Sequence, residues 1–305
     1  MIKKIPLPAA GVMLGMAALG NLIQSYSEGL RLACGVVCAL IGILLLVKTV
    51  LYPGQFVEDM KNPIMASVSG TFSMALMLLA GYAKPFVGGG AIAIWYVGIG
   101  LHIALMVYFT IQFMLHLQLP KVFASYFIVY VGIAVSSVTA PAFGQTAIGT
   151  AAFWFAFVAA LLLLALVTYR YAKVKAVPEP AKPLFCIYTA PISLCLAGYI
   201  QSVQPKSLFL IGFMAALSSV IYIMVLTKLP AYLKMKFYPS YAAFTFPFVI
   251  TAISLKMTMA CLANMGKPLP FLQYVVLAET VIAAVLTVYT LVRYVMVVAA
   301  GKPAA

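Results

Sequence analysis

Long apolar runs broken by short polar connections set the pattern of this chain. A helix crosses a bilayer with about 20 apolar residues, and the runs predict ten such segments: 8–24, 30–51, 63–82, 88–115, 123–138, 143–171, 184–202, 207–227, 239–257 and 269–298. Two kinds of segment alternate. Odd-numbered ones carry polar and helix-disturbing residues, among them Gly11 and Gly15, Ser69 and Thr71, Ser136, Pro191 and Ser193, and Thr245 and Pro247. Even-numbered ones include runs such as Leu40-Ile-Gly-Ile-Leu-Leu-Leu46 and Ala159-Ala-Leu-Leu-Leu-Leu-Ala165. Lipid asks for no polar contact, so the even segments should face it and the odd ones should line the interior.

A repeat underlies the alternation. Prolines stand at or near the start of each odd segment, at Pro8, Pro63, Pro120, Pro183 and Pro239, spaced by 55, 57, 63 and 56 residues. Proline suits a first helical turn, where its missing donor costs nothing. Each unit reads inner segment, short turn, longer outer segment, connection. The resulting hairpins cover about 6–60, 61–119, 120–176, 182–236 and 237–300 of a single transmembrane domain, 1–305. An even number of crossings makes the units parallel. The pattern predicts an all-α integral membrane protein, with ten transmembrane helices as five parallel helical hairpins in a quasi-five-fold ring around a central pore. Inverted repeats, the usual basis of a rocking transporter, are not what this pattern shows.

Composition agrees: 65% of residues are hydrophobic and 8% charged, whereas soluble domains carry about a quarter charged residues. The net charge of +14 suggests a nucleic-acid partner until the basic residues are placed. Fourteen of the 19, from Lys3 and Lys4 through Arg170 to Arg293 and Lys302, fall on the face that holds both termini. Only Arg31, Lys84, Lys206 and Lys267 fall on the other, and Lys256 lies within a segment. Excess Lys and Arg marks the cytoplasmic side, which puts both termini in the cytoplasm and leaves no case for nucleic acid. Lys3 and Lys4 are followed by Pro6 and Pro8 rather than a short apolar core and cleavage site, so no cleavable signal is expected.

The chemistry of an enzyme is missing from the sequence. Five acidic residues and two histidines give no metal cluster and no axial pair for heme, and no GxSxG or phosphate-binding loop occurs. The five cysteines lie in or at the ends of apolar runs and read as small buried hydrophobes. No metal and no cofactor is expected.

One stretch stands out, from Tyr238 to Lys256. Pro247 inside it would free the Ala243 carbonyl, and lipid tolerates such a break only in the protein interior or beside an aqueous cavity. Phe244 and Phe248 share a helical face, while Phe246 points roughly the other way. This reads as the wall of a conduit obstructed by Phe246; the plainer reading is ordinary packing beside a kink. An apolar ring in a narrow pore excludes water and so stops ions. Lys256 and Glu279 are the ionisable residues set furthest into segments. They read as a structural pair, with Lys256 as an outer anion attractor or Glu279 as a proton carrier as the alternatives. The inner segments offer no ring of Arg or Lys at mid-depth. Any anion would be held weakly, by hydroxyls, helix ends and basic loops, and large soft anions should pass more readily than small hard ones.

These residues resemble a family: the bacterial tellurite-resistance and C4-dicarboxylate transporters, which include the slow anion channel of plant guard cells. The likeness is carried by Pro6-Leu-Pro8 with Leu14-Gly-Met-Ala-Ala-Leu19, by Asn62-Pro63, by Ala190-Pro191, and above all by Ala243-Phe-Thr-Phe-Pro247. The last is similar to a Tyr-Thr-Phe-Pro version whose phenylalanine closes the pore, which implies that role for Phe246. The family implies a homotrimer of separate pores in the plasma (inner) membrane. It implies a gated channel for small monovalent anions such as chloride and nitrate, or, as the alternative, a proton-coupled transporter of C4-dicarboxylates, sulfite or tellurium oxyanions. One departure is the third segment, Ile64-Met-Ala-Ser-Val-Ser-Gly70, which lacks the aromatic run of some members and points to a different pore width and substrate.

Overall fold

The computed structural model describes residues 2–300; Lys302, counted above among the basic residues, lies outside them. The described residues are predominantly helical and contain no strand. The principal helices are α1 (Ala9–Ile23), α2 (Glu28–Leu51), α3 (Pro53–Met60), α4 (Pro63–Val87), α5 (Ala91–Phe109), α6 (Tyr126–Val131), α7 (Ala134–Thr139), α8 (Thr146–Lys173), α9 (Ala190–Ser202), α10 (Leu208–Leu226), α11 (Leu229–Leu233), α12 (Phe246–Asn264) and α13 (Leu272–Ala299).

Local chemistry fixes many of the starts. Asn62 Oδ1 accepts from the Ile64 and Met65 amides with Pro63 in the first turn, and Ser27 and Ser207 cap α2 and α10 in the same way. Seven helical runs among the described residues are long and apolar enough to cross a membrane. One of them, Pro63–Met114, contains both α4 and α5, which pack against each other. The shorter apolar helices Ala9–Ile23 and Ala134–Phe143 add to these. The protein is therefore a multi-pass helical membrane protein.

Burial follows the predicted alternation. In Glu179–Ser202, 89% of the most apolar window is buried and in Pro239–Asn264, 67%, against 33% in Glu28–Leu51, Thr146–Lys173 and Leu208–Leu226. Nearly every residue of α1 and α9 is buried, whereas α2, α8 and α10 leave Val36, Leu162 and Phe209 exposed. Packing links α1 to α4, α4 to α6 and α7, α7 to α9, α9 to α12, and α12 back to α1. Each of these also packs on the long helix that follows it: α2, α5, α8, α10 and α13.

Three inner segments are not single α-helices. The fifth breaks at Gly132, where Val135 N bonds Gly132 O and Ser136 N bonds Ile133 O, a tighter three-residue step between α6 and α7. The seventh and ninth open with 3-10 helices, Glu179–Thr189 and Pro239–Phe244, which pack against each other.

Candidate functional site

The stretch singled out in the sequence is a junction between two helices rather than a kink within one. The 3-10 helix Pro239–Phe244 ends at Thr245, whose backbone (φ −99, ψ −98) belongs to neither helix. Then α12 begins at Phe246, and Pro247 stands in its first turn, where no donor is missed. This corrects the expectation of a gate-helix kink at Pro247 with a displaced Ala243 carbonyl. The break lies two residues earlier, and Thr245 holds it. Thr245 Oγ1 is 2.9 Å from the Gly11 carbonyl and 2.8 Å from that of Ala242, sharing its proton between α1 and its own 3-10 turn.

That bond needs α1 close by, which its glycines permit. A Cβ on Gly11 would stand 2.9 Å from Ala242 Cβ, and one on Gly15 would overlap the Thr245 side chain. On the far side of α12, Thr251 Oγ1 lies 3.1 Å from Ser193 Oγ and 3.2 Å from the Thr189 carbonyl, tying α12 to α9. Phe244 and Phe248 are wholly buried, the latter edge-on to Tyr222 at 5.7 Å.

Phe246 and Pro247 face a cavity of about 1340 Å³. It opens at the end of the bundle where the inner segments start and is lined by all five of them. On α4 the lining residues Ile64, Val68, Thr71 and Met74 form one helical stripe, and Leu184, Ile187, Pro191 and Leu194 form another. The last lining residues along each inner segment are Leu14 on α1, Met74 on α4, Gly132 after α6, Leu194 on α9 and Pro247 on α12. The turns beyond, with Ala17, Met77, Val135, Ala197 and Ile250, are packed and buried. Where the inner segments start, the lining includes Lys3, Lys4, Lys48 and Lys121 and one carboxylate, Asp59. Lys48 Nζ donates to the Ile5 carbonyl at 2.7 Å. Asp59, on the surface helix α3, has its carboxyl pushed above the usual range by burial, an effect that nearby Lys48 opposes.

The predicted lining residues divide. Gly11, Thr71 and Pro191 line the cavity together with Phe246 and Pro247. Gly15, Ser69, Ser136, Ser193 and Thr245 do not; their backbone and hydroxyls serve packing. Ser69 bonds the Ala66 carbonyl, Ser136 that of Ile133 and Ser193 that of Thr189, each within its own helical run. Leu14, Met74 and Leu194 were not foreseen, because apolar residues on inner helices carry no signal to separate lining from core.

The expected pair of Lys256 and Glu279 does not form. Lys256 Nζ bonds Ser25 Oγ at 2.6 Å and the Leu22 carbonyl at 3.0 Å, over the Tyr26 ring, so it pins α12 to the end of α1. Glu279 is buried on α13, and its Oε2 has no hydrogen-bond partner. His102 is buried between Ser73 Oγ (2.8 Å) and the Val129 carbonyl (3.0 Å), bridging helices. Among the described residues, no group of three His, Cys, Asp or Glu is placed to hold a metal ion.

The fold and site define a class: helical membrane proteins with a cavity among their inner segments and lysines among its lining residues. Residues 4–295 match the SLAC1 family model, described as voltage-dependent anion channel, and the chain belongs to that family. This agrees with the motif likeness to the tellurite-resistance and C4-dicarboxylate transporters. No curated protein matches the chain.

Proposed function

We propose that this protein is a gated anion channel whose conduit is the axis of five parallel hairpins, ten crossings in all, closed by the Phe246 ring. The observation that carries this reading is the cavity: lysines and largely apolar residues from all five inner segments line it, and Phe246 is among them. An apolar constriction stops ions because an ion cannot shed its water there without cost, and no charged group waits inside to compensate. Chloride and nitrate would gather at the mouth and pass only when the ring moves. Walls without a fixed charge at mid-depth bind weakly, so ease of dehydration sets the order and iodide and nitrate exceed fluoride. The loop charges favour both termini on the cytoplasmic side of a plasma (inner) membrane, and exposed apolar faces on the outer helices suit both lipid and a homotrimer.

A second reading, proton-coupled transport of dicarboxylates, sulfite or tellurium oxyanions, is favoured by the unpartnered Oε2 of Glu279, the one carboxylate buried among the long helices. Proteoliposomes separate the two. A channel gives chloride and nitrate flux that follows the electrical driving force and ignores a pH gradient. Uphill accumulation of malate driven by the pH gradient and lost in Glu279→Gln would replace the channel with the transporter.

A further inference from the structure

Arg170, near the end of α8, has no exposed surface, and none of the carboxylates among the described residues lies within ion-pair distance. Its Nη2 donates to the carbonyls of Pro120 (3.1 Å) and Ala176 (3.3 Å), and its Nη1 to that of Val174 (3.3 Å). The faces of Phe123 and Tyr171 lie 4.5 and 4.8 Å from the guanidinium carbon, and Nε has no partner. Pro120, Phe123, Val174 and Ala176 are all lining residues of the cavity, near where the inner segments start. The guanidinium therefore sits directly behind the cavity wall.

A buried guanidinium is costly and usually has a carboxylate to neutralise it. Carbonyl dipoles and aromatic faces solvate this one but leave its full positive charge in place. A charge fixed behind a low-dielectric wall projects its field into the adjoining cavity. Lys3, Lys4 and Lys121, by contrast, are exposed at the mouth, and salt screens them within about 3 Å at 1 M. We propose that Arg170 is a specificity-determining residue, a buried fixed charge that keeps the conduit selective for anions when salt has silenced the surface lysines. This rests on the pore reading above.

The test measures reversal potentials in KCl gradients, at low salt and near 1 M, with every variant built on Phe246→Ala. Arg170→Gln should lower the chloride-to-potassium permeability ratio about threefold to tenfold at both salts. Arg170→Lys, which keeps the charge but not the fork, should retain most of it. Neutralising Lys3, Lys4 and Lys121 together should lower the ratio at low salt only. An unchanged ratio in Arg170→Gln overturns the inference, as does an equal fall in Arg170→Lys, which would make the residue a staple between two loops. Should Arg170→Gln fail to fold, the triple lysine variant decides, since loss of selectivity near 1 M would then refute a buried source. A Phe246→Ala protein that passes no current refutes the pore itself, and this inference with it.

Discussion

Gly15→Ala puts a methyl group where Thr245 already stands. The new Cβ would overlap Thr245 Cβ and Oγ1 and stand 3.1 Å from the Phe246 amide nitrogen. Thr245 cannot simply turn away, because its hydroxyl is engaged by the Gly11 and Ala242 carbonyls. Either α1 retreats or the junction shifts, and both separate Thr245 from Gly11. Overpacking costs about 1–3 kcal/mol and the lost hydrogen bond about 1 more. Replacing a helical glycine with alanine returns about 1 kcal/mol. The expected net loss is about 1–3 kcal/mol, read from denaturant titration of the purified protein. Thr245→Ala removes the obstruction, so the double variant should recover much of that loss, with a coupling energy of about 1–3 kcal/mol. Because the shift is felt at Phe246, Gly15→Ala should also change basal anion leak. A neutral Gly15→Ala, or a coupling below about 0.5 kcal/mol, would refute the account of how the junction is held.

Further outcomes follow from the same geometry. Phe248→Ala, two residues from Phe246 but wholly buried against Tyr222, should cost about 3–5 kcal/mol of stability and raise no anion current; a current would assign the obstruction to the wrong ring. Lys256→Met should lower the melting temperature by freeing the end of α1, with anion selectivity unchanged; altered selectivity would restore its reading as an outer anion attractor. Burial raises the Asp59 pKa, so the folded protein holds that proton more tightly than the unfolded chain does. The stability this group lends is present below the ordinary carboxylate range and falls as pH rises through it to the raised value. Neutralising Asp59 by acid should also raise the current of an opened channel by removing a negative charge from the cavity lining. Asp59→Asn should show the high current already at neutral pH and lose that step in a pH titration.

The inner-outer alternation was legible because a membrane asks one thing of its lipid-facing helices and another of its interior. Runs like that of α2 need no hydroxyls, and Asn62-Pro63 marks a helix start in sequence as plainly as in structure. Less legible was what the hydroxyls do. Ser69, Ser136 and Ser193 read as lining, yet in an apolar setting a serine finds its nearest acceptor in its own helix, and the wall falls to Leu14, Met74 and Leu194. Pro247 suggested a mid-helix kink because the apolar run passes through it without interruption. Only the tertiary bond from Thr245 to Gly11, spanning nearly the whole chain, shows that a helix ends there. Lys256 was matched to Glu279 by hairpin adjacency, whereas its partners at Leu22 and Ser25 lie on the first hairpin. Contacts between segments so far apart in the chain leave no mark in local sequence.

The most direct test of the central claim is anion current across a planar bilayer, wild type against Phe246→Ala, in chloride and nitrate. If Phe246 is the constriction, its removal should let water in; a hundredfold rise in current corresponds to about 2.7 kcal/mol off the barrier, within the several kcal/mol that stripping an ion of water costs. The account predicts a small or absent wild-type current and a large anion-selective current in Phe246→Ala. Silence from both proteins, with dicarboxylate accumulating in liposomes under a proton gradient, would contradict it.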